Sequence, residues 1–451
     1  MKKRYSKLAL SAPQMITFGF AGVILLGAVL LSLPISSQSG EATPFIDALF
    51  TATSATCVTG LTTLTTAEHW NLFGQSVILV MIEVGGLGWI SLPVLFFFLS
   101  RKKIGLKTRI VLQESLNMDQ MSGGVYLMRY IIKIAVAIQL IGMALLMVDF
   151  VPRFGWAKGT WFSLFHAISS FCNAGFDLFG DSLVGFQKNP WVLSIVMLLI
   201  ISGGLGFLVW SDLLNYRKRR KFTLHSRIAL TVTLGLLIFG TLGFTLTERN
   251  AALLAEGNVI ERFFNTMFMA VTPRTAGYFS IDYFQMTHAG LILTIILMFI
   301  GGTSGSTAGG LKTTTFGVLL IQVKSIFKGR TRAEFAGRTL RNAVVSRSLT
   351  LFFITLSLCI VATMILSVTE SIPNVHRLGL EYIVFEVVSA FGTVGLTMGL
   401  TPDLTMIGKL VIICLMFIGR VGILTVVFSL ITKGRQQEPS IKYPEESIMI
   451  G

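Results

Sequence analysis

Charge is the first thing this chain of 451 residues is short of. Asp, Glu, Lys and Arg make up 13% of it, against roughly 25% in soluble domains. That deficit excludes an ordinary soluble enzyme and an intrinsically disordered chain. Acidic residues are the scarcer sign, 22 against 37 basic, for a formal charge of +15. A basic total invites a nucleic-acid reading. Here the Lys and Arg lie in short runs between apolar segments, and no soluble domain is left to carry a binding face. Cys57, Cys172, Cys359 and Cys414 form no Cys-x-x-Cys pair and fall in apolar stretches, so they define neither a disulfide framework nor a metal motif. The His residues show no ligand spacing and nothing resembles a nucleophile–base pair, so the chain does not read as an enzyme. No strand–glycine-loop–helix pattern marks a nucleotide-binding fold, and no organic cofactor is expected.

What the chain has instead is apolar length: 53% hydrophobic residues and a mean hydropathy of +0.74. Windows of about 20 apolar residues suit a hydrocarbon core about 30 Å thick. Eight are expected, at 15–34, 75–99, 130–151, 190–210, 228–247, 289–321 (interrupted), 349–368 and 408–431. The first is too long for a signal-peptide core and lacks a cleavage site, so it reads as a retained span. Basic clusters at Lys2–Lys7, Arg101–Arg109, Arg217–Lys221, Lys324–Arg347 and Lys433–Arg435 all follow an even number of spans. The positive-inside rule places them, and both termini, in the cytoplasm.

The outer connections repeat one unit. Phe45–Leu61, Gly159–Phe176, Glu261–Tyr278 and Leu380–Leu396 are semi-apolar stretches ending in Gly60, Gly175, Gly277 and Gly395, each followed by a large residue. Ten residues before each glycine stand Phe50, Phe165, Met267 and Phe385, and six before stand Ser54, Ser169, Val271 and Ser389. A second landmark follows 25, 28, 24 and 24 residues later: Gly85-Gly86-Leu87-Gly88, Gly203-Gly204-Leu205-Gly206, Gly301-Gly302 and Gly419-Arg420-Val421-Gly422. The expected fold is an all-α membrane protein of four concatenated span–pore-loop–span repeats, at 1–110, 111–225, 226–345 and 346–451. Eight transmembrane helices and four re-entrant pore helices would surround a central pore. Each unit holds two spans, so the repeats are parallel. That argues against a solute carrier built on inverted repeats.

Irregular backbone at membrane depth is tolerated only where protein buries it or where it lines a watery path. Four such loops on one axis would present rings of carbonyl oxygens that can replace the hydration shell of K⁺, and glycine permits the turns with φ > 0. One such glycine is an ordinary turn; four equivalent ones read as a filter. The candidate ion-binding residues are Thr56, Cys57, Val58, Thr59 and Gly60 in the first loop and Phe171, Cys172, Asn173, Ala174 and Gly175 in the second. The third loop gives Arg274, Thr275, Ala276 and Gly277, and the fourth Gly392, Thr393, Val394 and Gly395, with K⁺ held by backbone carbonyls. For Cys57 and Cys172, small-residue packing is preferred to a disulfide or metal. Arg274 would repel K⁺ if aimed into the path, so it is expected to point away and brace the pore helices.

The segments Ser-Ala-Thr-Cys-Val-Thr-Gly-Leu (54–61), Ser-Ser-Phe-Cys-Asn-Ala-Gly-Phe (169–176), Thr-Pro-Arg-Thr-Ala-Gly-Tyr (272–278) and Ser-Ala-Phe-Gly-Thr-Val-Gly-Leu (389–396) resemble the pore loops of the superfamily of Trk, Ktr and plant HKT transporters. The resemblance covers nearly the whole chain. With four units and no additional N-terminal spans, the chain is most similar to the bacterial Ktr-type membrane subunits. The resemblance implies K⁺ uptake across the bacterial plasma membrane, with Na⁺ as a further candidate ion, a homodimer among membrane lipids, and a separate cytosolic ring of nucleotide-binding regulatory subunits. Serine in place of the first filter glycine goes with Na⁺ transport in this family, so Gly60 implies a K⁺ preference. No loop is Thr-Val-Gly-Tyr-Gly itself, and looser selectivity than in a dedicated channel is expected. The alternative is a Na⁺-preferring or non-selective cation pore of the same architecture.

The stretch 301–315 interrupts the sixth span. It is not a phosphate loop, because Leu311 separates Gly310 from Lys312. It occurs in one unit of four, just cytoplasmic of the glycine loops, which favours a flexible obstruction over a simple helix break; the resemblance likewise implies an intramembrane gate. Its candidate residues are Gly301, Gly302, Thr303, Ser304, Gly305, Ser306, Gly309, Gly310 and Lys312, with Arg420. The other three units are expected to run nearly continuous helices through the landmark. A charge at span centre is costly and usually faces the bundle interior. Arg420 therefore reads as a barrier in the path, a latch on the loop, or a donor to carbonyls of a neighbouring helix. Glu83 pairs with Lys312 or Arg420, or is protonated. The basic links at 101–109, 217–221 and 324–347 suit partner docking as well as topology.

Overall fold

The computed structural model describes residues 11–88, 124–249, 258–372 and 379–430. Both chain ends, the basic runs at 2–7, 101–109 and 433–435, and the expected end of the second span (89–99) lie outside the described residues. Four times the chain forms a long lead helix, a short pore helix and a return helix. The lead helices are Ala12–Ser32, Gly124–Phe154, Leu224–Thr247 and Asn342–Thr369, of 21 to 31 residues. At 1.5 Å per residue these match or exceed the bilayer core. They are apolar on all sides, with Leu25, Leu26, Ile141, Leu242 and Val361 turned outward, as helices facing lipid must be.

The pore helices are Phe45–Cys57, Trp156–Cys172, Val259–Val271 and Glu381–Gly392. At 12 to 17 residues they dip into the protein without crossing. Phe50, Phe165, Phe268 and Phe385 are fully buried and anchor them in one continuous core. The third helix departs from the sequence alignment. Phe268 and Thr272, not Met267 and Val271, occupy the positions of Phe50 and Ser54. The reason is a turn one residue shorter: Ala276 N–H bonds the Thr272 carbonyl, whereas Thr59, Ala174 and Val394 reach back five residues to Ser54, Ser169 and Ser389.

The return helices are Leu72–Leu87, Pro190–Gly204, His288–Phe299 and Met406–Val421. Side chains cap their starts at Asn71, Asn189, Thr287 and Thr405, and three of these caps are tied to an acid at the end of the lead helix. Glu248 accepts from the Thr287 hydroxyl at 2.6 Å, Glu370 from that of Thr405 at 2.6 Å, and Asp149 from Asn189 Nδ2 at 2.6 Å. In the first unit Asn71 Nδ2 donates to the Ile35 and Ser37 carbonyls instead. Each return helix packs on the pore helix of the next unit, and the fourth packs on the first, closing the ring.

Nearly continuous return helices are not what forms. The second and fourth bend by 96° and 100° at the landmark into Phe207–Arg219 and Ile423–Leu430. The first described return helix stops at Leu87. Gly88, Gly206 and Gly422 sit at these ends with φ of 83°, 88° and 92°, a backbone that glycine adopts without steric penalty. In the third unit the break widens into a loop, and the helix resumes at Thr313–Phe327. A two-stranded hairpin, Glu334–Phe335 with Arg338–Thr339, follows. It rests on a small apolar cluster of its own: Ile228, Val318, Ile321, Ala333 and Leu340.

Candidate functional site

The four glycine loops meet. A Cβ built on Gly60 would lie 2.5 Å from the Ala174 carbonyl oxygen, and one on Gly175 would lie 2.8 Å from that of Ala276. On Gly277 it would overlap the Val394 oxygen, and on Gly395 the Thr59 oxygen. Loop one thus touches two, two touches three, three touches four, and four returns to one. Two residues before each glycine, Val58, Asn173, Thr275 and Thr393 are also left-handed, with φ of 58°, 61°, 78° and 50°. The residue between them keeps negative φ. This alternation of handedness turns successive carbonyls towards one side, which is how a filter backbone presents oxygens to an ion. Left-handed backbone at a non-glycine residue costs about 1–3 kcal/mol, and three of these four residues are β-branched.

Side chains hold the loops in two ways. Ser54 and Ser389 accept hydrogen bonds from the amides of Gly60 and Gly395 at 3.0 and 3.1 Å. Ser169 and Thr272 instead donate to the carbonyls of Phe176 and Tyr278. Loops two and three are also joined directly. The Tyr278 hydroxyl donates to the Phe176 carbonyl at 2.9 Å, and the Asn173 amide oxygen accepts from the Thr275 hydroxyl at 3.0 Å. The buried hydroxyls of Thr56, Thr59 and Thr393 have no hydrogen-bond partner among the described residues. Cys57 and Cys172 are buried free thiols. Arg274 lies behind the ring rather than in it, donating to Thr233 of the third lead helix at 3.4 Å.

The landmark glycines sit directly below. Gly85, Gly203 and Gly419 press on the carbonyls of Thr56, Phe171 and Phe391, leaving no room for a side chain. Gly301 does not make the matching contact; a Cβ there would meet Gly309 of its own loop. The 301–312 loop crosses under the ring. Thr307 donates to the Phe171 carbonyl at 3.2 Å, and Gly309 abuts the Thr393 side chain. Backbone bonds from Thr303 to Gly204 and from Phe207 to Gly305 fix it to the second return helix. Arg420 donates to the carbonyls of Thr307, Gly85 and Gly86, so one guanidinium joins the loop to the fourth and first units. Lys312 Nζ caps the Ala308 carbonyl at 2.7 Å. Ser304, Gly305, Ser306, Gly310, Lys312 and Arg420 line a cavity of about 300 Å³ beyond the loop.

The expected pairing of Glu83 changes here. Glu83 bonds neither Lys312 nor Arg420; it accepts from Gln139 Nε2 at 2.8 Å and from the Cys172 thiol at 3.3 Å. Thr307 and Ala308, outside the candidate set, supply the loop's contacts to Arg420 and Lys312. Thr272 and Tyr278 were likewise outside it. Only the small-residue run Thr303–Gly310 could have pointed to the first pair.

Residues 19–439 match the family described as TrkH, cation transport protein. The chain is 64% identical over its whole length to "Potassium/sodium uptake protein NtpJ" of Enterococcus hirae, covering 99% of that protein. It is 41% identical to "Ktr system potassium uptake protein B" of Bacillus subtilis, over 97% of this chain and 96% of that one. Its fold resembles the crystal structure of the potassium transporter TrkH from Vibrio parahaemolyticus, at a TM-score of 0.72 and 16% identity over 95% of this chain and 86% of that chain. The chain belongs to the TrkH family of cation transport proteins.

Proposed function

We propose that this chain is the membrane subunit of a K⁺ uptake system, with the four glycine loops as its selectivity filter and the 301–312 loop as its gate. The carrying observation is the closed ring, in which every glycine faces the backbone of the next loop with no room for a side chain. K⁺ would exchange its hydration shell for carbonyl oxygens of residues 58–60, 173–175, 275–277 and 393–395. Below that ring, the loop and the positive charge of Arg420 oppose passage. A segment so rich in glycine is poor in helix propensity and suited to switching between arrangements. The bacterial plasma membrane, cytoplasmic termini, a homodimer and a cytosolic nucleotide-binding ring complete the reading, supported by the basic links and by relatives named as parts of a Ktr system. Na⁺ is the second ion to test, because the relative at 64% identity carries sodium in its name. Purified chain in liposomes should pass K⁺ faster than Na⁺, and neither faster than background once the pore is blocked by a large organic cation. Equal passage of both ions would leave a non-selective cation pore.

A further inference from the structure

A groove of about 400 Å³ opens between the first turns of the third lead helix and the helix Thr313–Phe327, beside the 334–339 hairpin. Its floor is apolar, formed by Ile228, Val232, Leu320, Ile321 and Phe335. Its rim carries Lys324, Lys328 and Arg330 against a single acid, Glu334, which Arg330 engages at 2.6 Å. Lys324 and Lys328 have no ion-pair partner among the described residues. Leu320, Val323, Ile326 and Phe327 turn outward, Phe327 with 87% of its surface exposed. This apolar belt is continuous with the groove floor, so the groove opens towards lipid. It lies at the end of the helices away from the glycine ring, within the basic link 324–347 and beside the one at 217–221.

We propose that the groove binds an anionic phospholipid, its phosphate held by Lys324, Lys328 and Arg330 and an acyl chain lying along Leu320 and Phe335. Inorganic phosphate would match the rim and waste the floor; a neutral lipid would match the floor and leave the cations unanswered. An amphiphile with a negative head satisfies both. Basic pockets between membrane helices recognise lipid head groups in this manner. The binding site stands on this geometry alone. A consequence for transport rests on the gate reading: Thr313–Phe327 continues directly from the 301–312 loop, so a lipid gripping one end of that helix biases the loop at the other.

The test is native mass spectrometry of the full chain in detergent, offered equal phosphatidylglycerol and phosphatidylcholine. The wild type should retain phosphatidylglycerol at least about tenfold better, since each cation near a head group contributes appreciably. Lys324→Gln/Lys328→Gln/Arg330→Gln should abolish that preference. Arg332→Gln/Arg338→Gln/Arg341→Gln removes the same charge outside the groove and should keep it. Equal preference in the groove variant, or equal loss in the control, overturns the site. So does a groove variant that keeps phosphatidylglycerol and loses a cytosolic partner, because the cations would then belong to a protein contact. K⁺ flux into liposomes with and without phosphatidylglycerol reads the consequence separately. Lipid-independent flux in a protein that binds the lipid would refute the coupling and leave the site standing.

Discussion

The glycine ring and the landmark breaks recur in the same four units, yet they obey opposite rules. At the ring all four loops repeat one backbone, left-handed at the glycine and again two residues before it, and even the shortened third turn recovers that geometry. At the breaks the units diverge. The second and fourth turn sharply at one glycine, while the third spends twelve residues, 301–312, on the same gap. A structure that needs fourfold likeness keeps it. Likeness is dropped furthest in the third unit, the one proposed to carry the gate. Gly301 marks the exchange, having given up its neighbours' contact with a pore-helix carbonyl for one with its own loop.

Four changes would break or sharpen this comparison. The largest effect is expected at the ring. Gly395→Ala places a Cβ against the Thr59 carbonyl in a left-handed backbone, together on the order of 2–5 kcal/mol, and K⁺ flux in liposomes should fall at least about tenfold. Next comes deletion of 304–310, which removes the Thr307 contacts and should raise K⁺ flux; unchanged or lower flux in folded protein would make the segment a packing break. Arg420→Ala should act in the same direction and more weakly, since the loop keeps its backbone bonds to the second unit. It should also lower the melting temperature, because three carbonyls lose a charged donor at about 1.5–3 kcal/mol each before compensation. The smallest effect tests the two halves of the ring. Tyr278→Phe removes one of the two braces between loops two and three, about 1 kcal/mol, and should lower K⁺ over Na⁺ discrimination a few-fold with little change in stability.

The repeats were legible because glycine is demanded by backbone, and a demand made four times at matched spacing stands out in sequence. The long apolar lead helices were legible from hydropathy for the same reason. The return-helix breaks were not, although their glycines were noticed: Gly88, Gly206 and Gly422 are equally at home inside a helix packed tightly on its neighbour. Only the positive φ separates the two cases. Met267 and Val271 misled because alignment on Gly277 assumes a fixed distance to the pore helix, and the third turn is one residue shorter. Partners of buried charges were legible only in part. Donation from Arg420 to the loop and to carbonyls of a neighbouring helix was among its expected roles, and Thr307, Gly85 and Gly86 accept from it; a carboxylate carries no signature of neutral partners, and Glu83 found Gln139 and Cys172. The lead-to-return ties at Asp149, Glu248 and Glu370 join residues 35 to 40 apart, where no local pattern points to them.

The central claim is that four equivalent glycines form one ion-selective ring. It is tested most directly by the K⁺ to Na⁺ permeability ratio of Gly60→Ser, Gly175→Ser, Gly277→Ser and Gly395→Ser, each measured in liposomes beside the wild type. The account predicts that all four lower the ratio, because each serine meets the backbone of the next loop in the ring. Wild-type ratios and K⁺ affinity in all four folded variants would contradict it.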